Sequence, residues 1–440
     1  MDHPGTAPDT PAPPAPRQSL FRHRDFRLLW AGDTVSVFGM QVVGFAMPYV
    51  AIRVLEAGEF QMGVLTALEM LAFLLIGLPA GAWVDRWRKK RIIVLGDLSR
   101  AALLLTIPLA FLGGWLSMWQ LYVVAFLAGC ITVFFDVANQ SYLPEIVESE
   151  QISEGNAKLQ ASQQIAIVSG PALAGQLVRL IPSPFVVAVT AVAMGLSSLF
   201  VSRIRHQEPE PDPESRRPLV TEIREGLSFV TSHPLLRRIV MCTGITNFAS
   251  SAVGALFMLF ALRELGLDAA TLGLVMGLAS AGGLFGALSA ERFGRLVGEG
   301  RAIPISALIG GVAAFSVPLA VYLPTLPTLM IGWSLVSWAV VVYNIAQVSF
   351  RQRLCPKPLL GRMNASIRFL VWGPMPIGAF LGGVVAHQIG MLNTFWIFTV
   401  LLMLACAPVL FSPLIRMREL PRELDALASS RPAEAADGAR

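Results

Sequence analysis

Acids are scarce in the long apolar stretches of this chain, and the few that occur there are the groups best placed to do chemistry. Glu69 lies in TALEMLAFL, well inside one apolar run and the deepest acid of all; Asp33 and Asp136 lie in two others. An ionised side chain in hydrocarbon costs roughly 2.5 kcal/mol or more, so such an acid must be paired or must take up a proton. Proton uptake and release is therefore the chemistry on offer, and Glu69, Asp33 and Asp136 are its candidate carriers. For Glu69 the alternative is a permanently protonated glutamate tied to a neighbouring helix. Asp97 and Arg100 in GDLSR stand three apart on one helical face and should pair. Arg368 has no acid within a turn, so it either pairs across helices or meets an anionic substrate.

A second constellation is GAWVDRWRKKR at 81–91, where five cations and one acid fall between Asp85 and Arg91 with nearly pure hydrocarbon on both sides. The carbonyl end of a helix disfavours an acid, so Asp85 needs a partner, and Arg86 or Arg88 could supply one. Lys89, Lys90 and Arg91 can equally be read as charges that only fix topology.

These groups have to be positioned by membrane-spanning helices. The chain is 54% hydrophobic and 14% charged, with a mean hydropathy of +0.62, where a soluble domain carries about a quarter charged residues. Apolar runs long enough to cross a bilayer, about 20 residues each, lie near 28–52, 61–83, 92–113, 118–140, 157–180, 183–202, 237–262, 271–290, 302–323, 327–350, 363–388 and 393–415. An all-α polytopic membrane protein follows, because backbone in lipid must satisfy its own hydrogen bonds. The first run is too long for a cleaved signal core and should remain as span one. Of the 34 Lys and Arg residues, all but Arg53, Arg179, Arg263 and the within-span Arg100 and Arg368 fall on one side of such a topology. The positive-inside rule then places both termini in the cytoplasm of a plasma (inner) membrane. The net charge of +5 reflects this topology and implies no nucleic acid. Cys130, Cys242, Cys355 and Cys406 show no metal spacing and read as packing residues.

The organisation expected is a disordered tail over 1–18, a six-helix bundle over 19–203, a linker over 204–236, a second bundle over 237–418 and a second tail over 419–440. Leu219, Val220, Ile223, Leu227 and Val230 suggest an amphipathic helix in the linker. The halves repeat one another: GPALAG (Gly170, Pro171, Gly175) is matched by GPMPIG (Gly373, Pro374, Gly378), and GAWVDR at 81–86 by GALSAER at 286–292. Each pair occupies the same place in its half. Two bundles related by a pseudo-two-fold axis along the membrane normal are a transporter architecture.

With these residues in view, the sequence resembles the major facilitator superfamily. That family carries G-x-x-x-D-[RK]-x-G-[RK]-[RK] between spans two and three; Gly81, Asp85, Arg86, Lys89 and Lys90 match it, and Arg88 replaces the second glycine. FFDVANQSYLPE at 134–145 and the Gly170-Pro171 motif are similar to the twelve-span drug:proton antiporter branch, which includes macrolide, tetracycline and enterobactin exporters. Span four has no basic residue, so the coupling arginine of a different exporter branch is absent.

The resemblance implies a gate built from Gly81, Asp85, Arg86, Arg88, Lys89, Asp97 and Arg100, with Asp85 reaching the start of span eleven near Arg362 to Asn364. It also implies a cavity lined by spans one, four, seven and ten, with Ser36, Gln41, Phe135, Asn247, Phe248, Trp338, Tyr343, Asn344 and Gln347 as members, beside Arg368 of span eleven. Antiport is implied by the motif in span five. The implied partners are a small molecule, protons and the bilayer, handled by a monomer. No G-x-x-x-x-G-K-[ST], HExxH, CxxC or G-x-S-x-G occurs, so no enzyme, cofactor or metal is expected and transport would run on an ion gradient. Proton-coupled export, uptake or lysolipid transport on the same fold, and a non-transporting sensor all remain open at this point.

Overall fold

The computed structural model describes residues 20–84, 86–148, 151–206, 208, 227–228, 230–354 and 360–418. Asp85, Cys355, the segments 1–18 and 419–440, and the linker positions 219, 220 and 223 lie outside the described residues. The amino-terminal half comprises α1 (Arg24–Arg53), α2 (Glu59–Val84), α3 (Lys89–Gly113), α4 (Met118–Ile146), α5 (Ile152–Leu180) and α6 (Ser183–Ser202). The carboxy-terminal half comprises α7 (Pro234–Arg263), α8 (Ala269–Val297), α9 (Glu299–Leu319), α10 (Thr325–Leu354), α11 and α12 (Met391–Leu410). α11 runs in two pieces, Leu360–Trp372 and Pro374–Ile389.

All twelve expected spans are present. Eleven of them have the length and apolarity of a membrane crossing. The twelfth, α5, is diluted by Gln160, Ser162, Gln163 and Gln164 in its first half. Between spans the chain turns tightly: Asp268 caps α8 by accepting a hydrogen bond from Thr271 N at 3.1 Å, and Gly390 joins α11 to α12 at φ 85°, a left-handed conformation that suits glycine.

Pairing of helices follows the sequence repeat. α1 packs on α5 and α6, as α7 packs on α11 and α12; α2 packs on α4 as α8 packs on α10; α3 packs on α4 and α6 as α9 packs on α10 and α12. The two halves meet through two equivalent seams, α5 against α8 and α11 against α2. With little hydrophobic force between helices in lipid, close approach relies on small residues. A Cβ on Gly175 would strike the Ala269 carbonyl of α8, and one on Gly383 would lie 2.8 Å from the Glu59 carbonyl of α2.

The face from which α1 starts and α2 ends is called here the terminal face, the opposite one the far face. On the far face a single apolar core joins both halves, running from Val42, Val50 and Leu65 to Leu256, Phe260, Leu272 and Phe395. Arg263 of α7 closes it by donating to the Ala57 carbonyl at 3.0 Å. On the terminal face the core is two separate clusters. Phe26, Ile93, Tyr142 and Val201 belong to one half, and Leu236, Ile303, Phe350 and Leu414 to the other. The molecule is thus sealed at the far face and split between its halves at the terminal face.

Candidate functional site

Within the amino-terminal half, polar side chains from three helices converge. Asp97 and Arg100 form a fully buried ion pair on α3. Ser36 of α1 donates to Asp97 Oδ1 at 3.0 Å. Arg100 also donates to Thr132 Oγ1 of α4 at 3.3 Å and lies over the Phe135 ring, 4.1 Å from its centroid. One turn towards the terminal face, Asn139 Nδ2 of α4 donates to Asp33 Oδ1 of α1 at 2.6 Å. Asp33 is buried, and Asp97 and Asp136 are within electrostatic reach of it. Asn139 and Thr132 are functional neighbours that sequence reasoning passed over. The signal was available, since Thr132, Asp136 and Asn139 share one face of α4 at helical spacing.

Glu69 projects from the middle of α2, where α2 and α4 approach closely: a Cβ on Gly129 would lie 2.8 Å from the Glu69 carbonyl oxygen. Its side chain is exposed and, with Met40, Phe73, Arg100, Leu104 and Thr132, lines a cavity of about 100 Å³ inside the half. No hydrogen bond or ion pair holds the Glu69 carboxyl among the described residues. That volume holds about three waters at roughly 30 Å³ each, and Glu69 and Arg100 share it.

The carboxy-terminal half is built differently. Tyr343 of α10 meets Thr243 of α7 with their hydroxyls 2.8 Å apart. Gln347 is buried and donates to Asn344, which is exposed. Trp338 turns away from α7, donating to Ser289 of α8 at 2.8 Å and stacking edge-on against Phe293. Asn247 and Phe248 serve α11: Asn247 Nδ2 donates to the Val371 carbonyl at 2.7 Å, and Gly378 packs on the Phe248 backbone. Arg368 is exposed, lies 5.5 Å from the Trp372 ring centroid, and is within electrostatic reach of both Asp136 in the other half and Arg351. It therefore faces the gap between the halves.

The two glycine–proline motifs stand at the seams. A Cβ on Gly170 would overlap Gln41 of α1, and the Pro171 carbonyl sits against Gly273 of α8, so Gln41 is a packing partner of α5. α5 continues through Pro171, whereas α11 breaks at Gly373-Pro374. A proline removes one backbone donor in either helix; in α11 a second proline, Pro376, follows within the same turn.

The loop after α2, which ends just beyond Gly81, divides its cations. Lys89 pairs with Glu145 of α4, while the Lys89 and Lys90 amides donate to the Glu208 carboxylate at 2.5 and 2.7 Å. Lys90 Nζ caps the Ile204 carbonyl at 2.6 Å. Arg86, Arg88 and Arg91 are exposed and line a groove. The contact expected from Asp85 to the start of α11 falls outside the described residues.

Twelve helices in two repeated halves, sealed on one face and split on the other around buried acids, describe a solute carrier. The profile of the Major Facilitator Superfamily matches residues 29–373. The chain belongs to that family. It is a transporter and not an enzyme. Among relatives of the superfamily, it is 27% identical over 413 residues to the multidrug efflux pump Tap of Mycobacterium tuberculosis (strain ATCC 25618 / H37Rv), covering 90% of this chain and 92% of the relative. It is 22% identical over 375 residues to macrolide efflux protein A of Streptococcus pyogenes, covering 84% and 91%. A bacterial homolog of the human lysosomal transporter Spinster, solved inward-facing and unoccupied, shares the fold with a TM-score of 0.69 at 14% identity, over 91% of this chain and 98% of that one.

Proposed function

We propose that this superfamily member exports a small lipophilic or drug-like compound across the plasma membrane in exchange for protons, as a monomer with both termini in the cytoplasm. The observation that carries the reading is the concentration of buried ionisable groups in one half, beside a gap that opens on the terminal face. With the termini inside, that gap faces the cytoplasm, the side from which an exporter loads. The relatives named for multidrug and macrolide efflux support the same direction.

In this scheme Glu69, Asp33 and Asp136 exchange protons for cargo. A proton arriving when the gap opens outward neutralises an acid whose charged form is costly in hydrocarbon. Its release to the cytoplasm leaves the carboxylate free to favour cargo entry. Asp97 and Arg100 hold α3, α1 and α4 in register and position Glu69 through the shared cavity. Phe135 and Trp372 offer apolar faces, and Arg368 and Asn344 offer polar ones, a mixture that suits a moderately large, largely apolar molecule. Glycine-lined seams keep the far face dry while the terminal face is open, which favours exchange over leak.

The test is substrate-induced proton movement in liposomes holding the purified protein, read by a pH-sensitive dye across lipophilic cations, macrolides, tetracyclines and catecholate siderophores. A response to any of them supports antiport, and the responders define the cargo. Silence from folded, oriented protein across the whole panel overturns the drug-like assignment.

A further inference from the structure

The five cations of 86–91 do two separate jobs. Both lysine side chains point into the protein, Lys89 towards Glu145 and Lys90 towards the Ile204 carbonyl, while the two backbone amides donate to Glu208. The three arginines point the other way and crown a groove of about 650 Å³ between α3 and α4. Below them its walls are Trp87, Leu95, Ser99, Ile131 and Phe134. This groove is separate from the gap between the halves. Leu95 and Leu98 on α3, and Val123 and Leu127 on α4, are exposed along the same sides of those helices, so the groove opens on lipid. Trp83 stacks on Phe134 with ring centroids 5.9 Å apart, and Trp87 tilts against it at 6.1 Å. That places indoles at the depth where tryptophan marks the membrane–water interface.

We infer that this groove binds one anionic phospholipid, its phosphate held by Arg86, Arg88 and Arg91 and an acyl chain lying along Leu95, Ile131 and Phe134. Guanidinium groups match a phosphate through paired N–H donors, and basic pockets between spanning helices on the cytoplasmic side take anionic headgroups. Among the described residues Arg86 and Arg91 make no ion pair, so the groove carries net positive charge. Its length also fits. From Arg91 to Ser99 the wall descends about 12 Å at 1.5 Å per residue, most of the roughly 15 Å of hydrocarbon in one leaflet. The site has a structural consequence. The Lys89 and Lys90 amides at the start of α3 hold the linker through Glu208, so lipid on Arg91 would brace the same turn from its other side. The inference rests on the cytoplasmic placement of the termini only for which leaflet supplies the lipid.

Native mass spectrometry of the full chain in detergent tests it, with palmitoyl-oleoyl phosphatidylglycerol, the phosphatidylcholine of the same chains, or inorganic phosphate as probe. One phosphatidylglycerol should be retained in preference to phosphatidylcholine, and phosphate should not displace it. Arg91→Gln should weaken retention about fivefold, the worth of one cation near a lipid surface. Ser99→Trp, which keeps every arginine and fills the lower groove, should weaken it as well. Equal retention of the two lipids, displacement by phosphate alone, or wild-type retention in both variants would overturn the site. Should either variant misfold, photocrosslinking of the wild-type chain by a phosphatidylglycerol with a diazirine in its tail decides. Label on the α3 and α4 segments containing Leu95 and Ile131 supports the site, and label only elsewhere overturns it. None of these readouts involves transport, so failure of the export reading would leave the result intact.

Discussion

The two halves share one packing plan and bridge it with different chemistry. Between α1 and α4 the link is Asp33 with Asn139; between their counterparts α7 and α10 it is Thr243 with Tyr343. α3 buries an Asp97–Arg100 pair, whereas α9, its counterpart, buries Ser306, whose hydroxyl folds back onto the Ala302 carbonyl of its own helix at 2.6 Å. The buried carboxyl groups that take part in these links therefore sit on one side of the pseudo-two-fold axis. The other side holds hydroxyls, amides and the arginines Arg351 and Arg368. A repeat that duplicates helices has not duplicated their charge, so the difference between the halves lives in a few side chains.

The largest expected effect separates the halves at that point. Asp97→Asn leaves Arg100 buried with no counter-charge, and breaking a buried pair from one side costs about 3–5 kcal/mol. Ser306→Ala, at the equivalent level of α9, removes a hydroxyl bonded only within its helix and should fall within about 0.5 kcal/mol. Thermal unfolding of both variants in the same detergent measures the contrast. If Asp97→Asn unfolds no earlier than Ser306→Ala, the charged pair is not what holds α1, α3 and α4 together.

Next comes function without loss of fold. Glu69 has no ionic partner among the described residues, so Glu69→Gln should preserve stability and abolish proton-coupled transport. Arg368→Gln, facing the gap from the other half, should alter which compounds respond and leave proton movement in place. Unchanged coupling in Glu69→Gln, measured with the dye assay, would remove Glu69 as the carrier and pass the role to Asp33 or Asp136.

The seams offer a smaller effect and a test of symmetry. In α5, Gly175→Val would press on the Ala269 carbonyl, with the Ala270 Cα 3.3 Å from the new Cβ; in α11, Gly383→Val would press on the Glu59 carbonyl and the Gly63 Cα, 2.8 and 2.9 Å away. Overpacking of this sort costs about 1–3 kcal/mol, and it is borne only while the far face is closed. Both variants should shift the population towards closure of the terminal face, which spin-label distances between Arg22 and Arg416 would register as a shortening. A shift in one variant alone would show that the two seams, alike in geometry, are unequal in the transport cycle.

The sequence announced the helices more fully than their faces. Spans, the repeat and the family were legible because bilayer length, glycine–proline spacing and the charge burst at 85–91 are one-dimensional signals. The direction in which each side chain points was not. A helix with lipid on one side and a protein core on the other is apolar on both, so its periodicity is weak. The family resemblance implies a place for Trp338 and Asn247 on the cavity wall, and the structure turns Trp338 to Ser289 and Asn247 to the Val371 carbonyl. Arg368, with no acid within a turn of its own helix, is within electrostatic reach of Asp136 in the other half, a relation that sequence distance hides. The inward turn of the two lysines in 86–91 depends on Glu145 and the Ile204 carbonyl, which lie 56 and 114 residues further along the chain.

Asn247 also supplies the smallest test. Pro374 and Pro376 withhold two amide donors where α11 breaks, and α7 reaches across with Asn247 Nδ2 to Val371 and Ser251 Oγ to the Met375 carbonyl at 2.8 Å. α5 stays continuous through Pro171 and has no comparable pair of donors from α1 among the described hydrogen bonds. Interhelical hydrogen bonds in membranes are worth about 0.6 kcal/mol on average and about 1.7 at most. Asn247→Leu, which keeps the branch at Cγ and removes the donor, should therefore lower stability by less than Asp97→Asn and by an amount within that range. Its effect on transport should exceed its effect on stability, because Trp372 and Arg368 lie on the turn that Asn247 steadies. Thermal unfolding beside the dye assay separates the two. A variant that transports as the parent does while unfolding earlier would make Asn247 a packing residue only.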